Sequence, residues 1–221
     1  MKRESSRNKQ NEIIDVATIL FYEQGYKNTY LEQIAKRIGV TKQLIGYHFG
    51  TKFNLATKVI NKYTEELKDK NALKVYNILK KSDLQVSTAV DMRILNMLYH
   101  EDQNARRFSL EVLPAIYLEP NPEVNLVKYS IHDRQYKLEI DHDTDELMMI
   151  AIVCQSSVHA LQKAFYSNIL NCTVEQYFDF SIRLLFKMMN IDNKRIEEII
   201  SESKKIMQKL DYKIEPYFKI S

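Results

Sequence analysis

Every glycine of this 221-residue chain (Gly25, Gly39, Gly46, Gly50) lies in the first 50 residues, and every proline (Pro114, Pro120, Pro122, Pro216) lies beyond residue 110. Breakers so few and so segregated leave long runs that favour helices, and the chain is expected to be all-α. Apolar spacing supports this from the start. In residues 10–24, Ile13, Ile14, Ala17, Leu20 and Phe21 recur on one helical face and Gly25 ends the run. Residues 1–9 are polar and basic with nothing to bury. They are expected to form a mobile tail.

The remaining glycines mark out the next elements. Thr29 and Glu32 stand in capping-box spacing, so a helix is expected to begin at Thr29. Leu31, Ile34, Ala35 and Ile38 form its apolar face, and Gly39 supplies a left-handed stop. After the turn of Gly39, Val40 and Thr41, a second helix carries Leu44, Ile45 and His48 or Phe49 inward, with Lys42, Gln43 and Tyr47 outward. This is a helix-turn-helix pattern. Periodicity by itself equally describes an αα-hairpin of a helical bundle. In the first reading the second helix enters the major groove, where Lys42 can donate to guanine, Gln43 can pair with adenine and Thr41 can touch a base or phosphate. Lys52 opens the following helix, whose dipole end favours a phosphate.

Charge is distributed in the same sense. Residues 1–60 hold ten Lys or Arg and five Asp or Glu, a net +5, against −2 for the rest. A basic end on a nearly neutral body is the footprint of a nucleic-acid contact. Cys154 and Cys172 have neither metal-ligand spacing nor the density of a secreted disulfide framework. No apolar run reaches the ~18 residues of a membrane span, and the N-terminus lacks a signal-peptide core. A cytoplasmic location is expected.

At these residues the chain resembles the TetR family of bacterial transcriptional regulators. The likeness rests on Ile14, Ala17, Phe21, Gly25-Tyr26, Thr29, Ile34-Ala35, Gly39-Val40-Thr41, Phe49, Lys52 and Leu55, and covers roughly residues 7–66. It implies a DNA-binding domain over 7–66, a helical effector-binding and dimerisation domain over 67–221, and a homodimer on a near-palindromic DNA operator. The two recognition helices would sit about 34 to 36 Å apart. By position, Thr41, Lys42 and Gln43 would read bases, and Tyr47, His48 and Lys52 would hold phosphates, with Thr29 and Tyr30 as further DNA contacts. One departure stands out. Gly46 occupies the place of a family tyrosine that contacts the backbone, and glycine inside a helix costs about 1 kcal/mol relative to alanine. The neighbouring Tyr47 can take over the contact, or the chain can have lost autonomous DNA binding.

Beyond residue 66 the pattern predicts that the fourth helix runs to about residue 78. Further helices follow over 83–100, 102–117, 123–140, 143–168, 173–190 and 193–210, with Asp83, Asp102, Asp143 and Thr173 as caps. The resemblance makes 143–168 and 173–190 the dimer helices. It also implies a small-molecule effector, for which Phe108, Leu113, Tyr117, Tyr129, Tyr136, Met149, His159 and Phe165 are candidate pocket residues, although aromatic and methionine stripes more often fill cores. Asp141-His142-Asp143 reads as a polar turn, and neither His132 nor His142 belongs to a metal motif. No cofactor, metal or catalytic constellation is expected. Three functions compete: a ligand-responsive regulator, most commonly a repressor in this family; an interaction protein or co-regulator that has lost autonomous DNA binding; and a helical enzyme.

Overall fold

The structure, a computed structural model, describes residues 2–115, 126–138, 140 and 145–221. Among the described residues the chain forms ten helices and one two-stranded hairpin. Tyr117, Pro120, Pro122, the Asp141-His142-Asp143 turn with its expected cap Asp143, and the Tyr129 side chain lie outside the described residues. Two compact units divide the chain. No described helix is long and apolar enough to cross a membrane.

The first unit joins Met1–Glu66, Leu98–Leu113 and Lys213–Ser221. Its helices are α1 (Lys2–Gln24), α2 (Leu31–Ile38), α3 (Lys42–Phe49), the first part of α4 (Lys52–Leu79), the end of α5 (Leu84–Glu101) and α6 (Gln103–Val112). Strands β1 (Ile214–Glu215) and β2 (Lys219–Ile220) complete it. The segment expected as a mobile tail belongs to α1, which begins at Lys2. Lys, Arg and Glu are good helix formers despite their polarity, and no Gly or Pro stops the helix from extending. Ile13, Ala17 and Phe21 of α1 are fully buried with Ile34 of α2, Ile45 of α3 and Leu55 and Ala56 of α4, which fixes the three-helix arrangement. Asp102 caps α6 as expected, accepting from the amides of Asn104 at 2.8 Å and Ala105 at 3.1 Å. Its other oxygen accepts from the Tyr22 hydroxyl at 2.8 Å. The buried hydroxyls of Tyr63 and Tyr99 share a 2.8 Å hydrogen bond, and burial holds the Tyr63 phenol protonated far above its ordinary range.

The second unit joins Leu67–Met97 and Pro114–Tyr212. It holds the later part of α4, most of α5, α7 (Leu126–Tyr136), α8 (Glu146–Tyr166), α9 (Val174–Met188) and α10 (Asn193–Met207). Chain neighbours pack pairwise, α7 on α8, α8 on α9 and α9 on α10, around Val86, Val90, Ile94, Ile182, Phe186, Ile196 and Ile199. Two arginines tie helices together through polar contacts. Arg195 of α10 donates to Asp83 at 2.6 Å and to Gln85 at 2.9 Å, while Asp83 also caps α5 through the Val86 amide. Arg93 of α5 donates to Asp179 and Glu175 of α9 and Ser203 of α10. Thr173 caps α9 in a capping box with Gln176, again where the sequence places it.

His159 of α8 has a buried Nδ1 with no hydrogen-bond partner among the described residues, and burial holds its imidazole down at about 4. Because the folded value lies below the ordinary 6.5, the histidine's contribution is complete above pH 6.5 and is lost as pH falls towards 4. Between pH 7 and pH 5 the second unit is expected to lose about 2 kcal/mol through this group. Urea unfolding at the two pH values checks it: His159→Leu should remove that part of the difference.

Candidate nucleic-acid interface

Two local signals form the turn between α2 and α3. Gly39 is left-handed at φ 77° and ψ 35°, and its amide and that of Val40 both donate to the Ala35 carbonyl at 3.0 Å, which closes α2. Thr41 then caps α3, its hydroxyl accepting from the Leu44 amide at 3.3 Å. Ile45 and Phe49 anchor α3 in the core of the unit. The opposite face is left in solvent: Thr41, Lys42 and Gln43 are exposed, and Tyr47 is 83 % exposed. Tyr30, at the start of α2, is 60 % exposed. An eight-residue helix anchored by one face, with donors at its first turn and a phenol on its outer face, can enter a groove without unfolding anything.

The start of α2 differs from expectation by one residue. Tyr30 is the cap position, and its amide donates to the Gln33 side chain at 2.7 Å. Glu32, instead of closing a box with Thr29, pairs with Lys42 at 2.6 Å, and that hydrogen bond holds its carboxyl below the usual carboxylate range. Nothing in sequence spacing marks this pair, since ten residues and a turn separate the two. Thr29 itself is 0 % exposed. Its hydroxyl donates inward to the carbonyls of Gly25 at 2.7 Å and Leu20 at 3.2 Å, so its side chain is not available as a DNA contact. A small hydroxyl suits this place because α1 ends there and leaves carbonyls to satisfy.

Lys52 is turned the same way. Its ammonium donates to the carbonyls of Tyr26 at 2.9 Å and Thr29 at 3.0 Å and sits 4.3 Å from the centre of the Tyr26 ring. Burial lowers its pKa. The lysine expected on a phosphate therefore holds the α1–α2 turn, and two of its three donors are already used. Arg107 of α6 completes the closure by donating to the carbonyls of Tyr22 and Glu23. Gly25, at φ +85°, passes so close that a Cβ would lie 3.0 Å from Arg107 and Glu111. His48 is half-buried with Nδ1 3.3 Å from the Gln10 amide nitrogen, which leaves its other ring nitrogen for an outside contact.

A Cβ on Gly46 would meet nothing within 4 Å, so only helix propensity and the missing side chain separate it from other residues. Gly46→Ala is expected to stabilise the first unit by about 0.5–1 kcal/mol, read as a rise in urea midpoint. Gly46→Tyr should in addition tighten DNA binding. A weaker complex would show that α3 needs the bare backbone there.

The described candidate pocket residues divide between the two units. Phe108 is fully buried in the first unit, its ring 5.3 Å from Phe21, and Leu113 ends that unit's second segment. Both are core residues, as aromatic and aliphatic stripes commonly are. Met149 is 55 % exposed on α8. Tyr136 stacks on the buried His132, and Phe165 stacks on Tyr177 at 4.7 Å. Among the described residues no group of three or more His, Cys, Asp or Glu could hold a metal ion.

Residues 13–59 match the family model described as bacterial regulatory proteins, tetR family. A 58-residue stretch is 41% identical to the HTH-type transcriptional regulator AcrR of Shigella flexneri and covers 26% of each chain. The match thus spans about a quarter of that relative's length. Among solved structures, RolR without ligand superposes with a TM-score of 0.51 at 15% identity over 86% of this chain and 96% of its own, a likeness of fold. A full-length tylp, a TetR regulator from Streptomyces fradiae, gives 0.48 at 18% identity over 98% and 96%.

Proposed function

We propose that this chain, whose residues 13–59 match the TetR-family model, is a transcriptional regulator of that kind and is ligand-responsive, a repressor that a small molecule releases from a palindromic operator. The observation that carries the reading is the outer face of α3. Thr41, Lys42 and Gln43 stand together, exposed, at the first turn of a helix whose other face is locked by Ile45 and Phe49. In this reading those three residues meet base edges, while Tyr30, Tyr47 and His48 meet phosphates. Lys42 has to exchange Glu32 for its base, a small cost because the pair is exposed.

The dimer is read through α8 and α9, within 143–168 and 173–190. Met149 and Val153 on α8 and Phe180 on α9 are large apolar side chains left exposed, which suits helices that meet a second copy. The effector site is read in the second unit, drawing on Tyr136, His159 and Phe165. An effector acts by binding one packing of that unit better than another, and it can shift operator affinity only by that difference.

Gly46 favours a second reading, a co-regulator of the same fold that reaches DNA only through another protein. Selection of bound duplexes from a random DNA pool, with the full chain at physiological salt, separates the two. A recovered palindrome supports the repressor reading and supplies the operator for an effector screen. No preferred sequence, with weak retention indifferent to salt, supports the co-regulator.

A further inference from the structure

Residues 213–221 form a hairpin in which Ile214 faces Ile220 and Glu215 faces Lys219. Lys213 and Ser221 close it by exchanging two 3.0 Å backbone hydrogen bonds. At its tip Tyr217 and Phe218 both take left-handed conformations, φ 65° and 61°, which bulky L side chains rarely adopt. Backbone strain of this kind persists only where its surroundings compensate it, and here the compensation is docking. The Phe218 ring is 3 % exposed. It lies 5.1 Å from Tyr63 in near-parallel stacking, 5.1 Å from Phe108 and 5.3 Å edge-on to Tyr22. Tyr217 packs on Tyr22 at 4.9 Å, and its hydroxyl donates to Glu23 at 3.1 Å.

Contacts run on from these two residues to the DNA-facing elements of the same unit. Phe108 stacks on Phe21 at 5.3 Å, Phe21 meets Tyr26 at 5.9 Å, and Tyr26 lies under the Lys52 ammonium that holds the α1–α2 turn. By a second route, Glu23 faces Arg37 of α2 at 3.9 Å. The first route ends where α2 leaves α1 and the second at the last turn of α2, just before the turn into α3.

We propose that Phe218 and Tyr217 are positioning residues for DNA binding. The hairpin docks as a strap that fixes the angle at which α2 and α3 leave α1, and operator affinity depends on its being docked. Neither side chain touches DNA. The proposal rests on the DNA-binding reading above.

The test uses the full chain with Phe218→Ala, Phe218→Leu and Tyr217→Ala, each at a temperature where circular dichroism shows it folded. Affinity for the selected duplex is measured across a salt series, and amide exchange is followed in α1–α3 and in α9–α10. Phe218→Ala should lower affinity about tenfold or more with the salt slope unchanged, because no phosphate contact is removed. Phe218→Leu should recover most of that loss. Exchange should quicken in α1–α3 and stay unchanged in α9–α10. Wild-type affinity and exchange in folded Phe218→Ala would overturn the proposal, as would a reduced salt slope, which would place the hairpin on DNA itself. Should Phe218→Ala not fold, Tyr217→Ala decides: a loss of about threefold or more supports the strap, and unchanged affinity refutes it. If the wild-type chain selects no DNA, the DNA-binding reading fails and the strap stands or falls by the exchange comparison alone.

Discussion

Replacing Arg93 by alanine is expected to destabilise the second unit by about 3–5 kcal/mol. Arg93 is 3 % exposed, and its guanidinium spans three helices, reaching Asp179 at 2.5 Å, Glu175 at 3.3 Å and Ser203 at 2.9 Å. Lys204 joins the same carboxylates at 2.6 and 3.0 Å, but from a side chain open to water. Removing Arg93 leaves Asp179, half-buried beside α10, with only that exposed partner and strips Ser203 of a buried donor. Removing Lys204 leaves the buried pair intact and should cost less than about 1 kcal/mol. Urea unfolding of the two variants measures the contrast. Similar losses would mean that the energy lies in the network as a whole and not in the buried cation. Arg93→Met, which fills the volume without the charge, should be as damaging as alanine here, because it too abandons the carboxylates.

Lys52→Met is the second large effect, and it tests where this lysine works. Its ammonium lies on the carbonyls of Tyr26 and Thr29, and charge-assisted hydrogen bonds of this kind are worth about 1.5–3 kcal/mol each. Losing them should loosen the turn that carries Tyr30 and α2, and operator affinity should fall by about ten- to a hundredfold on all sequences alike. A phosphate-binding lysine would also take about one unit off the salt slope. An internal one leaves the slope nearly unchanged. Binding isotherms at four or five salt concentrations therefore distinguish the two roles even when the affinity losses are equal.

The parts legible in the sequence are those set by neighbours in the chain. The left-handed stop at Gly39, the caps at Thr41, Asp102 and Thr173, and the helical stripes of α1 to α4 all depend on residues within four positions, and they appear where spacing puts them. The cap falls one residue after Thr29 because the Thr29 hydroxyl is committed to the carbonyls of Gly25 and Leu20, and Gln33 accepts from the Tyr30 amide. For Lys52 the dipole end of a helix start, and for Thr29 the family resemblance, point outward to DNA. What reversed them is the bare carbonyl end of α1, whose demand for donors becomes visible only once the turn is folded. Nothing in the spacing around Phe108 shows that Phe21 and Phe218 converge on it and make it core. The hairpin was missed for a related reason. Glu-Pro-Tyr-Phe contains no glycine or asparagine to announce left-handed residues, and its conformation is imposed by the distant rings of Tyr22, Tyr63 and Phe108.

That separation also has a meaning in time. The first unit takes its core from three stretches of chain, and Phe218 belongs to the last of them. During synthesis the helix-turn-helix is made first, yet about 150 residues pass between Glu66 and Phe218. At roughly 5–20 residues per second that is roughly 8 to 30 s. Through that interval Tyr22 and Tyr63, joined by Phe108 once it is made, lack the ring that packs on them, and the DNA-binding unit of a growing chain is unfinished. Nascent chains arrested near residue 120 should be cut by protease within α1–α3, where the finished protein resists.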